Sequence, residues 1–490
     1  MAGQNALTPS GLRPQAQSLP QQIARMDGER LRGYAELLSF YQGEQWPGAL
    51  RRRERRLTFN YAKAFIEKTA SYLMSGMRSV VDPEDDSPEE GERARQAERA
   101  LAEVAEQNHL SQLDFDTEVD ASVLGDGAFK VTWDPLERRV RISAPDVQGL
   151  FVWWLGDDIT RIWRVASRYR LSAEEVEMAF GSSPDASLRS GRALRPAQRD
   201  QHVEVVEVWT AETFALWVDG TLLEEKANPY GFIPFVVYPN QREPKQFWGS
   251  SDIPPVRESV QELNRALSQL SVILELSGNP IAVLENVTET QDIAVQPGAV
   301  WELPERARAY LLDLLQGGGV QLHVDYVNLI YRTLHDLGET PRTAFGDNAA
   351  SRSGVALEWE MDPLLKKVQR KRLIRSAAYQ KRNELILRIL EQQTGVSYAP
   401  RRQGSGRART RIVWGPVVPQ DRSRLVEDER TLVASGIHSR RRAADELGVA
   451  DPDLEFTRWL EEQERLAGGP ADLMRDAATA SANGRAAVGR

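Results

Sequence analysis

The chain has 490 residues, with 71 acidic against 62 basic side chains, a formal charge of -9 and no cysteine. That length exceeds one ordinary core, and the missing cysteines exclude a disulfide scaffold, a thiolate nucleophile and every Cys-ligated metal site. The acidic balance argues against a simple DNA clamp, whose affinity comes from neutralised phosphates and released counterions.

Residues 1–24 are rich in Pro, Gln, Ser and Gly and read as a disordered arm. Leu31, Tyr34, Leu37, Leu38 and Tyr41 recur at helical spacing, and a second helix runs through Phe65, Ile66, Thr69, Tyr72 and Leu73 to stop near Gly76. Between Asp82 and Glu106 an acidic turn leads into a solvated helix face. From Ala128 the period changes to two. AFKVTWD and RRVRISA flank an Asp134-Pro135 turn, followed by GLFVWWL, TRIWRVASRYR, HVEVVEVWT and TFALWV, and Asp219-Gly220 then turns the chain into LLEE. Most of the tryptophans fall in or beside this region and read as core residues.

Pro254-Pro255 opens a helix whose Val256, Val260, Leu263, Leu267, Leu270 and Leu274 form an a/d-type seam, ended by Gly278-Asn279-Pro280. Short strands are expected over 280–303 and a short helix over 306–315. After Gly317-Gly318-Gly319 a second seam carries Val320, Val324, Val327, Tyr331 and Leu334. A polar loop, 345–354, precedes one long helix over 354–393 that Pro363 should kink. Beyond it come a basic loop (Arg401 to Arg411), an isolated strand (IVWGPVVP), and two or three short helices over 421–466. The last residues, 467–490, read as a disordered tail. The pattern is α+β and predominantly helical, without the alternation that a parallel doubly wound sheet requires.

Catalytic chemistry has little support. None of the nine lysines follows a glycine, so no P-loop is present, and the five histidines form no HxH or HExxH pair. Gly125-Asp126-Gly127 lacks nucleotide-fingerprint spacing and reads as a turn. Asp114, Asp116, Glu118 and Asp120 would share one face of a strand and could hold Mg²⁺ as in a metal-dependent nuclease or nucleotidyltransferase, with Asp126 nearby; as a helix they divide between faces and are merely solvated. No cofactor is expected. Lys366, Lys367, Arg370, Lys371, Arg372 and Arg375 crowd the long helix, either as solvated or salt-bridged side chains or as phosphate contacts. No run reaches the ~18–20 apolar residues of a membrane span, and the N-terminus has no signal-peptide core, which suits a soluble, intracellular protein.

Three segments in order carry a resemblance. FYQGEQW (40–46), the basic run at Arg51–Arg53, Arg55 and Arg56, and FNYAKAFIEKTASYLMSG (59–76) resemble the N-terminal signature of tailed-phage portal proteins of the SPP1 type. NPYGFIPFVVYPNQREPKQFWGSSDIPPVRESVQELNRALSQL (228–270) is similar to that family's passage from wing to stem, and FGDNAASRSGVALEWEMDPLLKKVQRKR (345–372) to its tunnel loop and long kinked helix.

The resemblance implies a portal fold: a wing at 25–253, helices then β-strands, completed by the long kinked helix 354–397 and the basic loop and strand 398–420. It implies stem helices at 254–276 and 320–345, a clip at 277–319, a tunnel loop at 346–353 and a crown at 421–466. It further implies a homo-oligomeric ring, typically of twelve subunits, at one capsid vertex of the virion and assembled in the host cytoplasm. Double-stranded viral DNA would pass non-specifically through this conduit during packaging and ejection. Partners would be the terminase large subunit, a head–tail adaptor, and major capsid and scaffolding proteins. The tunnel loop would offer Asn348, Ser351, Arg352 and Ser353 to the duplex, and Gly317, Gly318 and Gly319 would form a clip–stem hinge. A non-portal helical scaffold or adaptor that binds only proteins is the other alternative.

Overall fold

The computed structural model describes residues 19–467 except 51–53, 84, 86, 173, 176–177, 179–201, 279–280, 286–305, 307, 313–318, 348–353, 399–407, 418–421 and 450–451. The chain divides into two units, Met1–Gly415 and Pro416–Arg490.

Two of the early helices begin at a side-chain cap. Asn60 accepts the Lys63 amide at the start of Tyr61–Leu73, and Ser87, followed by Pro88, accepts the Glu90 amide at the start of Pro88–Gln107. In chain order the first helices are Leu19–Arg25 (α1), Gly28–Tyr41 (α2), Tyr61–Leu73 (α3), Pro88–Gln107 (α4) and Leu110–Leu124 (α5). Along α4 only Ala94, Ala97, Leu101 and Val104 are buried, so its acids do form a solvated face. Gly125 ends α5 at φ 105°, and a Cβ there would lie 2.9 Å from the Gly249 carbonyl oxygen. Only glycine allows both that backbone angle and that approach.

The strands are Met77–Asp82 (β1), Asp126–Asp134 (β2), Arg139–Ser143 (β3), Leu150–Leu155 (β4), Asp158–Leu171 (β5), Val203–Trp209 (β6), Thr213–Val218 (β7), Thr221–Ala227 (β8) and Phe235–Pro239 (β9). They build a three-stranded sheet, β3-β2-β9, and a five-stranded meander, β4-β5-β6-β7-β8. Every ladder described is antiparallel. Asp219 and Gly220, both at positive φ, make the tight turn into β8.

After Pro254–Gly278 (α6) come Ile281–Glu285 (β10), Arg308–Leu312 (β11), Gly319–Leu337 (α7), Gly354–Thr394 (α8) and Arg409–Trp414 (β12). Two expectations fail here. The segment expected as a helix over 306–315 instead supplies β11, paired in register with β10 from Ile281↔Leu312 to Glu285↔Arg308. An isolated ten-residue helix is marginal, whereas an adjacent strand satisfies the backbone at once. The strand around Trp414 is not isolated either, because it pairs with β1, which hydropathy alone does not reveal. The second seam helix stops at Leu337, and Arg342–Phe345 is a short 3-10 turn. Helix α8 runs unbroken through Pro363 for 41 residues, ~60 Å of axis.

One core gathers α2–α5, the three- and five-stranded sheets, the β1–β12 pair, the first half of α6, the end of α7 and the second half of α8. Among its described residues the second unit holds three helices, Arg422–Ala434 (α9), Arg440–Glu446 (α10) and Pro452–Ala467 (α11), which cover the expected 421–466 and end one residue beyond it. Within it Arg440 lies 4.2 Å from the centre of the Trp459 ring and Arg441 4.9 Å from that of Phe456.

Candidate functional site

Helix α8 presents two faces. Leu364, Lys367, Val368, Lys371, Arg375, Ala378, Tyr379, Arg382 and Ile386 recur at three and four and are all buried. Four cations on a buried face require partners, and α5 supplies most of them. Arg375 donates to both oxygens of Glu118 at 2.7 and 2.9 Å, and Arg382 makes a two-pronged contact with Asp114. The carboxylates and guanidiniums are fully or nearly fully inside the protein. Burial opposes the charged form of both arginines, but Glu118 and Asp114 prevail and raise their pKa.

The same face reaches the starts and ends of the seam helices. Lys371 lies 2.7 Å from Asp252, just before α6, and donates to Asn240 and Ser122 at 2.8 Å each. Lys367 donates to the Gly338 carbonyl just after α7 at 3.0 Å and sits 3.7 Å from Asp252. Burial would raise the Asp252 carboxyl, yet Lys367 and Lys371 hold it well below the usual carboxylate range. Asn240 takes protons from Lys371 and Arg375 on its oxygen and gives its own to Ser250 and Asp252. Five segments therefore meet at one charged hub: α5, the loop after β9, the entry to α6, the exit from α7, and α8. Arg372 adds a sixth tie, donating to the Leu73 and Gly415 carbonyls and capping the C-terminus of α3.

These contacts correct two expectations. Lys367 and Lys371 are not phosphate contacts: both are buried and engaged inside the chain. Asp114 and Glu118 are not a solvated helix face but internal counter-ions. Residues 110–124 are helical, so the strand that would align four carboxylates does not exist, and Asp116 and Asp120 face away as exposed groups. Lys366 and Arg370 are exposed, with Arg370 paired to Glu339. Asp126 accepts from the Tyr34 hydroxyl at 2.5 Å and from the Gly249 amide at 2.8 Å. Among the described residues no three His, Asp or Glu side chains cluster as metal ligands. Asn348, Ser351, Arg352 and Ser353 lie outside the described residues, as do Gly317 and Gly318, while Gly319 opens α7.

The hub was half visible in the sequence. Lys367, Lys371, Arg375 and Arg382 share a helix face with Leu364, Val368 and Ile386, which marks that face as buried. Asp114 and Glu118, four apart, are the matching signal on α5. Asp252 gave none, since its partners are more than a hundred residues away in the sequence.

Helices α6 and α7 pack together, and the seam residues divide along their length. Val256, Val260 and Leu263 are buried; Leu267 and Leu270 are half-buried; Leu274 is exposed. On α7, Leu334 is buried, while Val320, Val324, Val327 and Tyr331 are half-covered. His335 is wedged edge-on between Phe65, Tyr331 and Phe345, pinning the C-terminal end of α7 to α3. A second apolar stripe, outside the expected seam, runs along α7: Leu322, Leu329 and Leu337, with Tyr326 at its edge donating to Glu262 of α6 at 3.1 Å. Leu322 is 72% exposed and Leu329 60%. An exposed stripe of this length is a surface built for another surface.

Among the described residues no helix is long and apolar enough to cross a membrane. A family model described as phage portal protein, SPP1 Gp6-like, matches residues 22–469. A search of curated proteins finds no match.

Proposed function

Since the chain belongs to the SPP1 Gp6-like phage portal proteins, we propose that copies of it close into a ring of about twelve subunits around a central DNA channel. The match over 22–469 carries this reading. A portal stands at the capsid vertex and serves genome packaging, so this chain's work is guidance of a duplex rather than a bond-making step.

In this reading residues 25–253 with α8 and 398–420 are the wing, α6 and α7 supply the two stem segments (254–276 and 320–345), and 277–319 is the clip. The loop 346–353 lines the tunnel, and α9–α11 lie within the crown. The geometry supports the division in two ways. Helix α7 carries one apolar stripe against α6 and a second, with Leu322 and Leu329, that the described residues leave largely exposed, as a helix between its own mate and a neighbouring subunit requires. Helix α8 is locked by buried ion pairs from Lys367 to Arg382, so its first residues extend from a rigid anchor and can hold the loop before Gly354 at a fixed radius. Asn348, Ser351, Arg352 and Ser353 would then meet the duplex with short polar groups and one cation, without reading sequence. Clip and stem would dock the terminase motor and later the head–tail adaptor, with capsid and scaffolding proteins around the wing, and Gly317, Gly318 and Gly319 would let clip and stem flex.

Averaged top views and native mass of the full-length protein test this. A closed ring with a central channel is expected; a monomer under all conditions, including co-expression with the procapsid proteins, would overturn it.

A further inference from the structure

The ion pairs between α5 and α8 place those helices face to face, so their remaining faces point in opposite directions. On α8 the outward stripe is Trp359, Asp362, Lys366, Arg370, Leu373 and Lys381, at helical spacing and opposite Lys371, Arg375 and Arg382. Trp359 is 77% exposed and Leu373 75%. On α5 the outward stripe is Gln112, Asp116 and Asp120, opposite Asp114 and Glu118 and flanked by half-buried Phe115 and Val119. One side of the helix pair thus shows two bare apolar groups among three bases and one acid, and the other shows acids beside partly covered apolar groups.

We propose that the outer face of α8 seats on the outer face of α5 in the neighbouring copy, with Lys366 and Arg370 meeting Asp116 and Asp120. The proposal rests on the ring reading and assigns it a wing-to-wing contact. Three observations carry it. The faces lie on opposite sides of one rigid pair, as a head-to-tail contact that repeats by rotation requires; a two-fold contact would need one self-complementary face. The bases stand four residues apart and so do the acids, which is ~6 Å of rise in each helix. Neither set of charges is fully used within the chain: the Arg370–Glu339 pair is exposed and therefore weak, and Asp116, Asp120 and nearby Asp146 meet no cation in an ion pair among the described residues. Partial burial and then the charges of Asp146 and Asp116 push the Asp120 carboxyl up to about 6, a cost that a neighbour's cation would remove. Duplex DNA is the less fitting occupant of the α8 face, because phosphates would leave Trp359 and Leu373 in water.

The test is charge reversal in the full-length chain, read by native mass and averaged images. K366E/R370E and D116K/D120K are each expected to raise the concentration for half-assembly about tenfold or more, with the thermal midpoint of the protomer not lowered, and the four-fold variant is expected to restore the ring. If a reversed variant fails to fold, K366Q/R370Q and D116N/D120N replace it, with a smaller weakening expected. Rings as stable as wild type in both reversed variants would overturn the contact, as would loss in each without rescue in the combination. An intact K366E/R370E ring that packages DNA poorly would overturn it in favour of a DNA-facing surface. Failure of the unmodified chain to form a ring would instead remove the ring reading itself.

Discussion

The hub of α5 and α8 and the outer stripe of α7 solve opposite problems. In the hub, charged groups that water would solvate well are inside the protein, and each has its counter-ion in the same chain. On α7, apolar groups that water solvates poorly, Leu322 and Leu329 above all, lie in the open among the described residues. The first region is complete in one protomer, and in the proposed ring the second would be completed by a neighbouring copy. Substitutions in the hub should therefore act on the stability of a single chain, while substitutions on the stripe should act on association.

The largest effect is expected at Arg375. Arg375→Ala leaves Glu118 charged, fully buried and without its main partner, which costs on the order of 3–5 kcal/mol. Urea unfolding of the protomer measures it. Replacing both partners, as in E118Q/R375M, should recover a large part of that loss, because the penalty comes from the orphaned charge rather than from the missing attraction. Equal losses in the single and double variants would show that the hub is held by packing instead.

Next comes a matched pair on α7. Leu334 is fully buried, so Leu334→Ala should cost about 2–5 kcal/mol of protomer stability. Leu329 lies on the opposite stripe, and Leu329→Ala should change protomer stability by no more than about 0.5 kcal/mol. L322D/L329D should leave the protomer folded and abolish the ring. A ring that survives L322D/L329D would show that the stripe faces the solvent or another protein.

The division between these regions explains what could be read from the sequence. Helices with clear apolar periodicity (α2, α3, α6 and α7) and strands with clear alternation (β2 to β7) followed from local pattern, and so did the long α8. β11 did not, because its conformation is set by β10 rather than by its own residues, and β1 stayed hidden because its partner β12 is more than three hundred residues away. The site divided in the same way. The seam residues were visible as apolar periodicity, but periodicity does not say which of two stripes is covered. The cations of α8 were visible as a cluster, but only the apolar neighbours at matching phase, Leu364, Val368 and Ile386, separate the buried Lys367 and Lys371 from the exposed Lys366 and Arg370.

A smaller effect is expected from acid. The Asp252 carboxyl is held low by Lys367 and Lys371, so the folded state binds its proton less readily than the unfolded chain does. Its contribution is fully present above the unfolded carboxylate value of about 3.9 and is lost as pH falls below that value. The urea midpoint of the protomer should drop below about pH 4, and Asp252→Asn should make that drop shallower while lowering the midpoint at pH 7. An unchanged acid limb in Asp252→Asn would place the acid sensitivity elsewhere.

The smallest effect separates protomer from assembly most cleanly. Asp120 titrates near 6 in the folded chain, above its unfolded value, so the sign is the reverse of that at Asp252. Its protonated form is favoured by folding, and stability is lost as pH rises from about 4 through about 6. Asp120→Asn removes that charge, so it should leave the protomer unchanged near pH 4 and stabilise it slightly at pH 7. The gain should be under about 1 kcal/mol, because the group is open to water on one side. If Asp120 meets a neighbour's Lys366 or Arg370, the same substitution must weaken the ring at pH 7 while it strengthens the single chain. A substitution acting only through local repulsion would move both in the same direction. Opposite signs for the thermal midpoint of the protomer and the half-assembly concentration would tie the acid face of α5 to a partner, and a stronger ring in Asp120→Asn would cut that tie.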